Sequence, residues 1–459
     1  MDHQNLELIE NIRQQFDNTP YPRIPLEQSP KDNCGLLYLH NLVTAYYFRN
    51  RKVINTEGKV ILDAGCGTGY KSLVLAIANP GAKIVGIDLS EESVKLAEQR
   101  LQYHGVANAE FYALKIEDLP TLGLQFDYIN ADEVLYLLPD AIAGLQAMKS
   151  VLKPDGIIRT NLHSSNGRAG IFRAQAAFKA MGLMSGSPGE LEIQIVRETM
   201  EALQDGVGLK AFTWNSDSAK DEEWIMANYL LVGDKGCTIP EVFAMLRGAD
   251  LEFISMVAWR RWELMDLFKD ADDLPPFLAM SLPETSLEER LHLFDLLHPM
   301  YRLFDFWCGN PDRTQAFVPV AEWTEAQWRE ARVHLHPQLR TSQVREDLSN
   351  CIDSETPFEI SRYIIVPTLA PVAIESTMAA CLLPLWDGPQ SVVSLVQQWL
   401  QIGSQIGVNL EPVSEQTAFE EVKELLIRLE VFLYVLLEPE SQELKKKIVG
   451  GDIKAPITG

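Results

Sequence analysis

The chain lacks several features that would have decided its class at once. Its six cysteines, at 34, 66, 237, 308, 351 and 381, are scattered through 459 residues without a C-x-x-C pair. That spacing supports neither a zinc site nor a disulfide framework, and no metal ligand set is read from it. No uninterrupted apolar stretch of 18 residues occurs, so no membrane span is expected. The first residues, Met1-Asp2-His3-Gln4-Asn5, have neither the charge nor the apolar run of a signal peptide. A cytoplasmic protein is therefore expected. Positive charge is scarce: 40 Lys and Arg face 64 Asp and Glu, for a formal net charge of −24. Such a surface repels a polyanion, which disfavours DNA or RNA as a partner. No internal repeat is found. Apolar residues, at 46%, are ample for a core, and the length implies two or three domains.

What is present is concentrated in residues 58–69, which read G-K-V-I-L-D-A-G-C-G-T-G. A short apolar run, Val60 to Leu62, ends in Asp63 and a loop holding Gly65, Gly67 and Gly69. This is the pattern of a buried parallel strand feeding a tight turn that opens a helix. Glycine there permits positive φ and lets the backbone approach a ligand, although a buried turn can use it for geometry alone. A second apolar run, Lys83 to Ile87, ends at Asp88 one β-α-β unit later, where a carboxylate is placed to accept both hydroxyls of a ribose. Leu89 follows and could lie against a purine face. A helix over Glu91–Leu101 with Ser90 as N-cap is expected next. Strands are expected at Glu110–Ala113, Phe126–Asn130 and Ile157–Leu162, with a helical crossover starting over Val134–Leu138. The alternation predicts an α/β fold with a doubly wound, Rossmann-like parallel sheet.

These segments, D-A-G-C-G-T-G, G-I-D-L-S, F-D-Y-I-N, V-L-Y-L-L-P-D and L-K-P-D-G, resemble class I S-adenosylmethionine-dependent methyltransferases. The resemblance is strong over about residues 55–165 and looser to about 260. It implies S-adenosylmethionine as cofactor. It further implies that Asp63, Gly65, Gly67 and Asn130, with Gly69 completing the loop, surround the methionine part. Asp88 would hold the ribose, and the backbone of Ile116 with Glu117 nearby would read the adenine. One position departs: Lys115 stands where many members place an Asp or Asn that reaches the adenine amino group.

Around this core, residues 1–54 are expected to form an N-terminal helical lid, with a helix near Leu6–Phe16 and the proline-dense run Asn18–Pro25. Tyr21, Tyr38 and His40 are its candidate ligand contacts, or else glue a helix to the sheet. A helical insert over 165–235, after the fifth strand, is expected to cap the site within a methyltransferase domain spanning 55–260. Helices near Ala169–Met181 and Glu190–Ala202 are read inside it. A helix at Thr238–Leu246 and a strand at Leu251–Ala258 would close the sheet. Residues 261–312 are read as an aromatic helical connector and 313–445 as a mainly α accessory domain, with helices at Ser391–Ile402 and Glu415–Leu437. That domain faintly resembles the winged-helix or small helical regulatory domains of some bacterial protein methyltransferases, and a role in homo-oligomer formation is open. Residues 446–459 are expected to form a flexible tail.

Methyl transfer from a sulfonium asks the protein mainly to position the acceptor and, for many acceptors, to take a proton. Arg159, Asn161 and His163 share one face of the fifth strand by period-two alternation, with His163 at its carboxyl end. His163 and Glu133 are the catalytic candidates; His163 could instead hydrogen-bond a loop, and Glu133 could favour a helix start. Tyr136 stands where many small-molecule members have a histidine, and N-A-D-E at 130–133 lacks the N-P-P-Y pattern of amide and adenine N-methyltransferases. A protein or peptide acceptor is favoured slightly, because a long insert and a large C-terminal domain suit a docked partner. A small metabolite, or a non-catalytic cofactor-binding scaffold, are the alternatives.

Overall fold

A computed structural model of the chain describes residues 21–215, 220–313, 317–365, 370–406 and 414–439, with residues 10, 13, 14, 17 and 217 besides. The helix expected near Leu6–Phe16 therefore lies for the most part, and the tail expected over 446–459 wholly, outside the described residues. The chain divides into two compact units: Met1–Asp32 with Thr56–Thr314, and Asn33–Asn55 with Gln315–Gly459.

The first unit is built on one twisted sheet. Its strands are β1 (Val60–Ala64), β2 (Lys83–Asp88), β3 (Ala109–Ala113), β4 (Phe126–Ala131), β5 (Leu152–Ser164), β6 (Gly236–Cys237), β7 (Glu252–Met256) and β8 (Leu303–Gly309). They run in the order β3-β2-β1-β4-β5-β8-β7, with the two-residue β6 paired to the end of β5. The first five are parallel, so their carboxyl ends share one edge, while β8 runs antiparallel to both neighbours. Ile61, Leu62, Ile84, Val85, Ile129 and Ile158 are fully buried, as a sheet covered on both faces requires. The helix Glu91–Tyr103 begins at Ser90, whose hydroxyl accepts from the Ser93 N–H, and carries Glu91 and Glu92 in its first turn. Ile239–Gly248 begins with a capping box between Thr238 and Glu241.

Two expectations in this unit need correction. Residues 261–312 are not only a helical connector, because β8 lies within them and fills the place between β5 and β7. The crossover after β4 opens as a single 3-10 turn, Leu135–Leu137, and the helix starts at Ala141, after Pro139, with Asp140 accepting from the Ile142 and Ala143 N–H groups. Among its described residues the insert forms the α-helices Ala169–Ala180, Glu190–Ala202, Gly208–Thr213 and Glu222–Tyr229. They close around a core of their own, including Phe178, Val196, Met200, Ile225 and Tyr229.

The second unit joins helices to a small antiparallel sheet, β9 (Arg332–Leu335), β12 (Gln390–Ser391) and β13 (Val435–Glu438), ordered β12-β9-β13; a two-stranded sheet, β10 (Phe358–Glu359) and β11 (Ala373–Ile374), lies apart. The expected long C-terminal helix ends at Glu430 and the chain enters β13. Residues 33–55 belong here. Tyr38 donates from its hydroxyl to Phe432 O at 2.7 Å, and the Tyr47 hydroxyl lies 3.1 Å from Glu430 Oε1 while accepting from Leu437 N. The segment expected as one lid is thus divided, its described residues 21–32 falling in the first unit and residues 33–55 in the second.

Candidate active site

The edge formed by the carboxyl ends of β1 to β5 gathers the polar side chains of the first unit. Asp63 is buried near the end of β1. It accepts from the Ser72 hydroxyl at 2.6 Å and from Asn130 Nδ2 at 2.8 Å. Burial pushes its carboxyl up to about 6, against the pull of those two hydrogen bonds. Asn130 Oδ1 is buried with no hydrogen-bond partner, an orphaned acceptor beside a buried carboxylate. A positively charged donor such as the amino group of a methionine moiety fits both demands.

The loop after β1 is tied down at each glycine. Gly67 donates to Asp88 Oδ2 at 2.9 Å, and Gly65 and Cys66 both donate to Ile87 O. Gly67, at φ +48°, has no room for a side chain, since a Cβ would stand 2.2 Å from Tyr21 O. At Gly69, φ +81°, a Cβ would meet the Ala97 backbone at 2.6 Å, so this glycine lets two helices approach. Asp88 also accepts from Ser90 N at 2.9 Å, leaving a lone pair on each oxygen for hydroxyl donors. Burial raises its pKa against those backbone bonds. Leu89 is half-buried beside it. Across the edge, Ile116 is buried at the start of the 3-10 helix Ile116–Leu122, with Lys115 and Glu117 half-buried on either side. The candidate cofactor residues thus come from the ends of β1, β2 and β4 and the turn after β3.

The candidate catalytic pair comes together on the next two strands. His163, 1% exposed, places Nε2 3.7 Å from Glu133 Oε2. Glu133 sits in a left-handed turn at φ +61°, its N–H donating to Asn161 Oδ1 at 2.9 Å. Its carboxylate accepts from the Tyr136 hydroxyl at 2.6 Å and pairs with Arg302. Burial alone would raise its pKa, but His163, Arg302 and Tyr136 together hold it below the usual carboxylate value. The Tyr136 ring stacks on the imidazole with centroids 3.9 Å apart. A second carboxylate stands on the other side: His163 Nδ1 lies 2.5 Å from Asp234 Oδ1. The polar band continues toward the glycine loop, since Asn161 Nδ2 donates to Asp132, which is paired with Lys71 at 2.6 Å.

The sequence singles out neither Asp234 nor Arg302, and marks Tyr136 as standing in place of a histidine rather than as a neighbour of one. Asp234 precedes β6 and Arg302 precedes β8, both of which pair with the end of β5. No local pattern marks either residue; only the strand pairing brings them to His163. Tyr38 and His40 lie buried in the second unit.

A parallel sheet of this order, with a glycine loop after the first strand and acids ending the first two, defines a nucleoside-cofactor-binding α/β fold. Residues 55–217 match the family model of a methyltransferase domain. The chain thus carries a methyltransferase domain over these residues, with S-adenosylmethionine as its cofactor. An uncharacterised protein of Synechococcus sp. is 28% identical over 68% of this chain and 72% of its own length. The ubiquinone biosynthesis O-methyltransferase of Actinobacillus pleuropneumoniae is 34% identical over 28% of this chain, a match spanning 56% of that protein. PKMT2 from Rickettsia typhi, solved in complex with AdoHcy, shares the fold over 92% of this chain and 78% of its own, with a TM-score of 0.57 at 16% identity. No helix among the described residues is long and apolar enough to cross a membrane.

Proposed function

We propose that the enzyme methylates a side chain of a protein or peptide, with His163 taking the acceptor's proton. The observation that carries the acceptor class is an outward-facing apolar run. Phe277, Met280, Leu296, Leu297 and Met300 are each more than half exposed, on the stretch leading into Arg302 and β8. A metabolite enzyme turns such side chains inward to line a closed pocket, whereas exposed apolar surface suits a docking partner. The likeness in fold to PKMT2, a protein methyltransferase, supports the same reading, because it continues well beyond the methyltransferase domain. A small hydroxylated acceptor is the second reading, favoured by the ubiquinone biosynthesis relatives, whose likeness is confined to about a quarter of the chain.

In this proposal Asp63 and Asn130 hold the amino group of the methionine part, with Gly65 and Gly67 shaping the loop around it. Asp88 holds the ribose hydroxyls, Leu89 packs on the purine, and Ile116 with Glu117 borders the adenine. S-adenosylmethionine, when bound, supplies the methyl group as a sulfonium whose leaving group is a neutral thioether. His163 accepts the acceptor's proton at Nε2, and Glu133, facing that nitrogen, stabilises the imidazolium that results. Buried Tyr136 keeps the ring in place and excludes water from one of its faces. The test is incubation with methyl-labelled S-adenosylmethionine and size-fractionated lysate of the source cells. Label is expected in the macromolecular fraction; label confined to small molecules would replace the protein acceptor with a metabolite.

A further inference from the structure

We infer that Asp234, at the return of the insert, is the positioning residue that fixes which nitrogen of His163 is free to take a proton. The insert would then supply part of the catalytic arrangement in addition to any cover. The inference rests on the reading of His163 as proton acceptor.

The geometry is specific. Asp234 Oδ1 lies 2.5 Å from His163 Nδ1. Its other oxygen, Oδ2, accepts from Arg168 at 3.1 Å and from Gln175 Nε2 at 2.8 Å. Arg168 is held by Asn228 Oδ1 at 3.0 Å, and Gln175 Nε2 also reaches Asn228 O. The Asp234 side chain is fully buried, so its orientation is set by these donors and not by water. Burial would raise its pKa, but the contacts with His163, Gln175 and Arg168 hold it below the ordinary value, and it stays ionised. An ionised carboxylate can only accept, so His163 must carry its proton on Nδ1. In the neutral ring Nε2 then bears the lone pair and faces the edge where Glu133 and Arg302 stand, at 3.7 and 3.5 Å. The charged and titratable groups facing the imidazole are thus Asp234 with Arg168 behind it, Glu133, Tyr136 and Arg302.

In the step so prepared, the acceptor's X–H bond breaks and its electrons remain on X. The proton forms a new N–H bond with the Nε2 lone pair, and the electron pair on X would take the methyl group that the bound cofactor supplies with a neutral thioether as leaving group. The imidazolium formed lies between Asp234 and Glu133.

Asp234→Asn gives a distinctive expectation. Arg168 and Gln175 are donors, so the amide oxygen of the new residue turns to them and its NH2 group faces His163 Nδ1. That nitrogen must then accept, the proton moves to Nε2, and the base is lost. The full chain, labelled with 15N-histidine, is measured by long-range 1H–15N correlation, with His163→Gln assigning the signal among eight histidines. The wild type is expected as the Nδ1–H tautomer and Asp234→Asn as Nε2–H. Label transfer into the lysate fractions is expected to fall by about 10²- to 10⁴-fold, with cofactor affinity within about twofold of wild type. Full transfer in an inverted variant overturns the inference, as does a wild type already in the Nε2–H form. The wild-type tautomer decides the matter even if the variant does not fold. Inversion of the tautomer in a protein that labels no fraction upholds the pairing and removes the methyl-transfer role assigned to His163.

Discussion

Asp63 concentrates the physical chemistry of the cofactor site in one side chain. Its buried carboxyl, pushed up to about 6, is raised above the 3.8 of an unperturbed group. The sign follows: before cofactor binds, Asp63 favours the fold fully below about pH 4, and that contribution is lost as pH rises through about 6. A bound ammonium reverses the preference by lowering the carboxyl's pKa. Cofactor affinity should therefore rise with pH up to about 6 and then level off, being about tenfold weaker at pH 5 than at pH 7.5 by titration calorimetry. Asp63→Asn should weaken binding at pH 7.5 by about 10- to 100-fold, the worth of a charge-assisted hydrogen bond, and flatten the pH profile. A profile unchanged in the variant would remove Asp63 from the contact. Asp88→Ala removes the acceptor of the Gly67 and Ser90 N–H groups as well as the expected ribose partner. Binding should fall below detection in the same calorimeter while thermal unfolding stays cooperative; unchanged affinity would place the ribose elsewhere.

At the scale of elements, the segment over residues 21–26 is held across the glycine loop by directed bonds. Arg100 donates to Thr68 O, Pro25 O and Ile24 O at 2.9, 2.8 and 2.7 Å, and the Thr68 hydroxyl donates to Pro22 O at 2.8 Å. Arg100→Ala should free this segment while leaving the sheet intact. Trypsin cleavage after Arg23 should accelerate by about tenfold or more, and cofactor affinity should fall several-fold, since a loosened cover must be ordered on binding. Unaltered proteolysis would mean the segment is held by something else. β1 and β2 could be read from sequence because each is a short apolar run closed by an acid, and the helices after β2 and β4 carry their own caps in Ser90 and Asp140. β8 could not. Its residues L-F-D-F-W-C-G have Phe304, Phe306, Trp307 and Cys308 all buried, so the alternation that marks a strand is erased, and aromatic density reads equally well as a helix. His163 and Glu133 were legible because they end strands. Asp234 and Arg302 were not, since their importance is created by β6 and β8 pairing on either side of the β5 end.

At the scale of the whole molecule, the division of the chain is discontinuous, and this too was hidden from local pattern. Asn33–Asn55 precedes the sheet in sequence yet belongs with residues beyond 314. Its apolar side chains, Leu37, Leu42, Tyr46 and Tyr47 among them, are buried in that second unit, and Tyr47 is hydrogen-bonded to Glu430 and to both backbone groups of Leu437. A chain ended at Thr314 strips those residues of their partners. Each fully buried side chain of this kind is worth about 1.5–3 kcal/mol relative to exposure, so the truncated chain would present a cluster of strongly unfavourable apolar surface. It should therefore aggregate when expressed alone. Replacing Leu37, Leu42, Tyr46 and Tyr47 by serine in the same truncation should restore solubility, because the sheet and its insert each keep a core of their own. The soluble variant is expected to bind S-adenosylmethionine within about threefold of the full chain, since every candidate cofactor residue lies between 63 and 130, and that modest change is below 1 kcal/mol. Analytical ultracentrifugation and calorimetry on the two truncations decide it. A plain truncation that stays monodisperse would show that residues 33–55 do not need the second unit. A serine variant that is soluble but cannot bind would show that the second unit contributes to the cofactor site.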